Sequence, residues 1–235
     1  PEYDATWADN AYPQGAEPAA HAIAGRMADC LVRLRAKTTT QRPRDRALLY
    51  LTDANFNNAY VSGQVNGEPL HSVLPLYATN EGFHLDALGT AAIGDIGCHE
   101  LLHYVHYEQV EGFWRVVNAV FGDSIPPQSF LERWFTEGLA QYYEGRLGAD
   151  TGRPHSPLYR AELEAGLASR GGWIGPGDLS LSQRELIPSS GAYLTGLHFI
   201  EYLAKTHGEE KLWEVVDRQA RSIFVPFGVA LRFKA

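Results

Sequence analysis

The residues with the clearest chemical content stand together at His99-Glu100-Leu101-Leu102-His103. On a helix, positions i and i+4 lie one above the other, so both imidazoles can reach a single metal ion. Glu100 is turned about 100° away from His99 at 3.6 residues per turn. There it flanks the ion without binding it and can take a proton from an attacking water. Two imidazoles and one carboxylate leave a fourth coordination position open, as a catalytic zinc site requires. The motif is short enough to arise by chance, in which case it is a pair of histidines on an ordinary amphipathic helix. The third ligand decides between these readings.

One zinc-protease pattern continues with a Gly and then a third His on the same stretch of chain. His106 and Gln109 occupy those positions, so that pattern fails. His106 shares a helix face with His99, but it would crowd the side of the ion that His103 already takes. It is expected to be a partly exposed polar residue. A carboxylate on a later helix is the alternative, and the run Trp134-Phe135-Thr136-Glu137-Gly138-Leu139-Ala140-Gln141-Tyr142-Tyr143-Glu144 supplies one. Glu137 sits in apolar surroundings, where a carboxylate needs a partner. Gly138 permits close backbone approach of a second helix. Glu144, on the same face as Glu137, is either an acceptor for the N–H of a ligand imidazole or a solvated helix-end carboxylate.

These residues resemble the gluzincin metallopeptidases, most of all the peptidase MA-like domains of bacteria and more distantly the gluzincin aminopeptidases. In that family the zinc ligands are the two motif histidines and a Glu in a Trp-x-x-Glu-Gly-x-Ala-x-Tyr segment. Trp134, Glu137, Gly138, Ala140 and Tyr142 match it. The resemblance implies Zn2+ held by His99, His103 and Glu137, with Glu100 as general base. A second stretch, Gly191-Ala192-Tyr193-Leu194-Thr195-Gly196-Leu197-His198-Phe199, is similar to the family's Tyr-x-x-Gly-x-x-Phe helix. In aminopeptidase relatives that Tyr donates a hydrogen bond to the tetrahedral oxyanion. By resemblance Tyr193 takes this role, with Tyr142 and Tyr143 as alternatives. The plain reading of Tyr193 is a residue at the start of a core helix.

The likeness runs from about Ile93 to Lys211, roughly half of the chain. It implies an α+β zincin (thermolysin-like) fold. A small mixed N-terminal sheet and the motif helix would pack on a mainly helical C-terminal lobe, with a peptide or protein substrate in the cleft between. It also implies an extracytoplasmic location in a bacterium, since many such domains are exported. The interval between His103 and Glu137 is longer than in the aminopeptidases. There is no Gly-Ala-Met-Glu-Asn segment before the motif, so the resemblance does not extend to recognition of a free amino end.

The elements that must position these residues can be read from periodicity and breakers. Residues 1–18 read as an irregular arm, and Ala19 to Lys37 as a helix. Ala47 to Leu51 reads as a buried strand. Val61 to Leu76 reads as a hairpin turning at Asn66-Gly67, and the strand from His71 to Tyr77 is expected to be the sheet edge that pairs with an extended peptide. Helices are predicted over Thr90–Glu108, Phe113–Phe121, Phe130–Leu147, Ala192–Thr206 and Glu209–Ala220. Loops are predicted over 148–157 and 171–191.

With 235 residues, 45% hydrophobic and 20% charged, the composition is that of an ordinary globular chain. A single domain over 1–235 is expected, with a sheet-containing lobe to about residue 110 and a helical lobe from about 111. The apolar segment from Ser222 to Phe233 suggests a piece of a longer chain. The net charge of -8 argues against a nucleic-acid binder. No apolar run is long enough for a transmembrane segment. Cys30 and Cys98 are either one bridge or two buried thiols, and nothing sets an oligomeric state. Two rival functions remain. One is a non-catalytic binding or scaffolding module whose structural metal is completed by His106 or His84. The other is a gluzincin-fold hydrolase of a non-peptide substrate.

Overall fold

Helix α1 (Glu17–Arg35) places Ile23, Met27, Cys30, Leu31 and Leu34 on one buried face. Pro18 lies in the first turn, where a missing N–H leaves no hydrogen bond unmade. Glu17 at its start and Arg33 and Arg35 at its end oppose the helix dipole. The structure, a computed structural model, describes residues 7–38, 47–52, 59–62, 71–75, 90–121, 126–147, 153–169 and 191–223.

Among the described residues four short strands form one sheet: β1 (Ala8–Ala11), β2 (Ala47–Thr52), β3 (Tyr60–Ser62) and β4 (His71–Pro75). Their order is β1-β2-β4-β3. β1, β2 and β4 run parallel, and β3 is antiparallel to β4, pairing Tyr60 with Val73 and Ser62 with His71. Leu49 and Leu51 of β2 are fully buried while Tyr50 between them is exposed, so the sheet turns one face to the helices. Two expectations are corrected here. β1 occupies part of the arm read as irregular, because its pairing with β2 supplies the hydrogen bonds that its Ala-Asp-Asn-Ala sequence would not suggest. Among the described residues the strand expected at the edge, β4, is interior, and β1 and β3 are the end strands. The expected turn at Asn66-Gly67 lies outside the described residues.

Helix α2 (Thr90–Glu108) carries the His-Glu-x-x-His motif and packs against α1 on one side and α4 on another. Cys30 of α1 and Cys98 of α2 form a disulfide across 68 residues of sequence, with Cα atoms 5.7 Å apart. This resolves the two alternatives left by the sequence and pins α2 at the residue before His99. At the far end of both helices the Arg35 guanidinium forms a two-pronged ion pair with the buried Glu108 carboxylate. Burial opposes the charge on Arg35, but Glu108 outweighs it and holds the pKa above its ordinary value.

The remaining described elements are helical: α3 (Gly112–Phe121), a 3-10 turn (Pro127–Phe130), α4 (Arg133–Leu147), a second short turn (Arg153–His155), α5 (Pro157–Ser169), α6 (Gly191–His207) and α7 (Glu209–Arg221). α5 was not expected from the sequence. Helices α4 and α6 cross at Gly138 and Gly196. A Cβ on Gly138 would stand 2.4 Å from the Gly196 carbonyl carbon, and one on Gly196 would stand 2.3 Å from the Trp134 carbonyl oxygen. Only glycine at both positions allows this spacing. α7 joins through the Tyr143 hydroxyl, which donates to Glu209 and accepts the Trp213 indole N–H at 2.8 Å.

The architecture is α+β, mainly helical with a small sheet. One apolar cluster runs through both parts, from Ile23 and Leu49 through Leu101 and Phe135 to Ile200 and Val215. Among the described residues, no helix is long and apolar enough to cross a membrane.

Candidate metal centre

α2 and α4 bring three ligand-type side chains to one point. The Nε2 atoms of His99 and His103 each lie 3.3 Å from Glu137 Oε2. All three donor atoms fall within 4.8 Å of one another. The two imidazoles come from successive turns of α2, as the i,i+4 spacing requires, with ring centroids 5.1 Å apart. Glu137 comes from the first turns of α4. The Gly138–Gly196 contact allows α6 to lie against that part of α4.

These residues fit a divalent metal. Glu137 Oε2 is buried and has no hydrogen-bond partner among the described residues, although two imidazole nitrogens stand close by. Three electron-pair donors converge instead of pairing, and two imidazole nitrogens with one carboxylate oxygen are a zinc-type donor set. Burial alone would raise the Glu137 pKa; when His103 and His99 carry protons, their imidazolium charges outweigh it and hold the carboxyl below the ordinary range.

The surroundings supply further parts. His99 Nδ1 lies 3.1 Å from Oε2 of Glu144, a carboxylate with 1% exposure. The same oxygen accepts the Gln141 side-chain amide at 3.3 Å. Of the two readings of Glu144, the solvated helix-end carboxylate is therefore excluded. A carboxylate can only accept here, so Nδ1 carries the proton and Nε2 presents its lone pair to the converging point.

A cavity of about 480 Å³ opens over this cluster. His99, Glu100, His103 and Glu137 line it, and so do Tyr107 of α2, Arg133 and Thr136 of α4, Tyr193 of α6, and Ala59 and Val61 at the β3 edge. Glu100 is 6% exposed and sits on the same cavity wall. The Tyr193 ring stacks on the His99 ring at 6.0 Å with an interplanar angle of 27°, and the Arg133 Nη2 group donates to its hydroxyl at 3.4 Å. Tyr142 and Tyr143, the alternatives to Tyr193, do not line the cavity. Tyr142 lies under the Arg146 guanidinium, and the Tyr143 hydroxyl is engaged with Glu209 and Trp213.

His106 departs from expectation. It is 1% exposed, its ring meets Trp213 edge-on at 6.0 Å, and its Nε2 has no hydrogen-bond partner among the described residues. α2 is enclosed on this side by α7, which a short-range reading of the motif does not reveal. Burial pushes the His106 pKa down to about 3, and the nearby His103 adds to the shift. His106 does not join the cluster of donor atoms. His84 lies outside the described residues.

Tyr107 and Arg133 are among the cavity residues that the sequence reading did not single out. Tyr107 follows His103 by four positions and Arg133 precedes Glu137 by four, so helical spacing from the motif residues was the signal that could have found both. Burial, followed by the Glu137 and Glu100 charges, raises the Tyr107 pKa and keeps its hydroxyl protonated as a donor.

Comparisons with protein-family models, with curated proteins and with solved structures each found no match to this chain.

Proposed function

We propose that the protein is a zinc-dependent metallopeptidase of zincin fold that hydrolyses peptide bonds with a metal-activated water. The observation that carries this reading is the convergence of His99, His103 and Glu137 donor atoms at the wall of a cavity that Glu100 and Tyr193 also line. His99, His103 and Glu137 would hold the ion, and Glu144 would orient His99. A zinc ion so held polarises a carbonyl and makes water nucleophilic at neutral pH.

The remaining work falls to the side chains. Glu100 accepts the proton of the attacking water and returns it to the departing amine. The Tyr193 hydroxyl donates to the oxygen of the tetrahedral intermediate, where charge develops only on the way to the transition state. Among the described residues β3 is an end strand of the sheet, and its Val61 and the preceding Ala59 line the cavity. An extended peptide pairing with that strand would lie across the site, a role first expected of β4. The Cys30–Cys98 disulfide supports an extracytoplasmic location, since such bonds persist in oxidising compartments.

A structural metal needs four protein ligands. Among the described residues three donor atoms converge and His106, although it lines the same cavity, is not one of them, which favours an open site over a module completed by that residue. A non-peptide hydrolase would use the same machinery and is separated by assaying peptide and ester libraries. The test of mechanism is Glu100→Gln. The variant should keep about one bound zinc and lose nearly all peptidase activity. Unchanged hydrolysis by this variant would refute the role of Glu100.

A further inference from the structure

Arg133 stands between two groups of the site. Its Nε lies 3.5 Å from Glu137 Oε1, and its Nη2 donates to the Tyr193 hydroxyl at 3.4 Å. The guanidinium carbon is 5.7 Å from the centre of the Tyr193 ring. One turn before Glu137 on α4, the side chain lies on the cavity wall and is 62% exposed.

A guanidinium carries five N–H donors in a planar fork that matches a carboxylate. The two contacts above use Nε and one N–H of Nη2, both at long range. A guanidinium engaged in this way keeps further N–H groups to offer a ligand. A fixed positive charge beside a metal ligand also repels the ion that the ligand would hold. Such a charge is best accommodated when an anion enters the cavity with the substrate.

We propose that Arg133 is the receptor for a substrate carboxylate close to the scissile bond, so that the substrate class is peptides bearing a negative charge there. The carboxylate is either a free C-terminus or an acidic side chain; the chemistry recognised is the same. This rests on the metallopeptidase reading, which names the cavity as the substrate site.

The test uses the full chain with zinc in a Glu100→Gln background, so that peptides bind without being cleaved. Calorimetry compares an N-acetylated neutral peptide as its C-terminal acid and as its amide, and a second amidated peptide with Asp or with Asn. At least one carboxylate form should bind about tenfold more tightly than its neutral partner, as a charge-assisted two-pronged contact provides. The pair that shows the difference identifies the source of the carboxylate. Arg133→Met should abolish the difference and Arg133→Lys should retain part of it, with zinc content unchanged in both.

Because a carboxylate can also meet the ion directly, the measurement is repeated without zinc, where a smaller preference that depends on Arg133 should persist. Equal binding of acid and neutral forms overturns the proposal. So does a preference that survives Arg133→Met, and so does failure of every carboxylate peptide to bind. If the preference is present but the unmodified protein cleaves none of these peptides, the peptidase reading fails while the carboxylate receptor stands.

Discussion

Replacing Glu144 by Gln probes how the site is held together from behind. Glu144 Oε2 is 3.1 Å from His99 Nδ1, in surroundings with almost no exposure to water. The substitution keeps the shape of the side chain and one acceptor, but removes the negative charge that makes the imidazole a stronger ligand and fixes its tautomer. Losing such a partner lowers metal affinity about 10- to 100-fold, or roughly 1.4–2.7 kcal/mol. Glu144→Ala should do more. It leaves the His99 N–H and the Gln141 amide without this acceptor in a dry interior, at about 1–3 kcal/mol for each unmet group. The Ala variant should therefore lose stability even without metal, whereas the Gln variant should lose mainly affinity. Zinc affinity is read by competition with a chromogenic chelator, and stability by denaturant unfolding of the metal-free protein. A Glu144→Gln protein that binds zinc within about twofold of the parent would refute the reasoning, because the expected effect begins near tenfold.

Three further outcomes follow from the packing. Reducing the Cys30–Cys98 bond, or replacing both cysteines by Ala, opens a loop of 68 residues and should cost about 4 kcal/mol; unfolding curves with and without reductant check this, and superimposable curves would contradict it. Gly196→Ala forces a methyl group into the Trp134 carbonyl and must part α4 from α6. A loss of about 1–3 kcal/mol is expected, with reduced activity because Tyr193 moves relative to Glu137; unchanged melting and turnover would show that the crossing yields more easily than its geometry implies. His106 stays neutral in the folded protein to about pH 3 while the unfolded chain takes a proton below about 6.5. Its contribution is thus fully present above pH 6.5 and lost as pH falls toward 3, by about 2 kcal/mol at pH 5. His106→Gln should flatten that part of the stability–pH profile of the metal-free protein, and an identical slope in both proteins would count against the assignment.

Much of the helical part was legible because its signals are local. The limits of α2 coincide with the periodic stretch Thr90–Glu108, and α6 ends where Gly208, at a φ of 90°, terminates the pattern. The convergence of His99, His103 and Glu137 was legible from two short segments because each is read within a single helix. What depends on distant packing was not. Four residues of β1 become a strand only because β2 is there to pair with them. On α3, Trp114 and Asn118 are buried while Phe113, Val116 and Val120 are exposed, a choice of face that the local sequence does not make. His106 looked like a polar surface residue until α7 was placed over it. The cysteines left a choice that only the α1–α2 contact could make. Glu144 was an even choice between solvent and His99, because spacing along α4 says nothing about which side chain of α2 lies opposite.

The most direct measurement is the coordination of zinc in the purified protein, by metal analysis together with X-ray absorption spectroscopy. The expected result is about one zinc per chain bound by two imidazole nitrogens and one carboxylate oxygen at about 2.0–2.2 Å, with a remaining position taken by solvent. Binding should fall sharply in Glu137→Gln. A protein that binds no zinc, or one whose zinc is closed by four protein ligands, would contradict a catalytic metal centre at His99, His103 and Glu137.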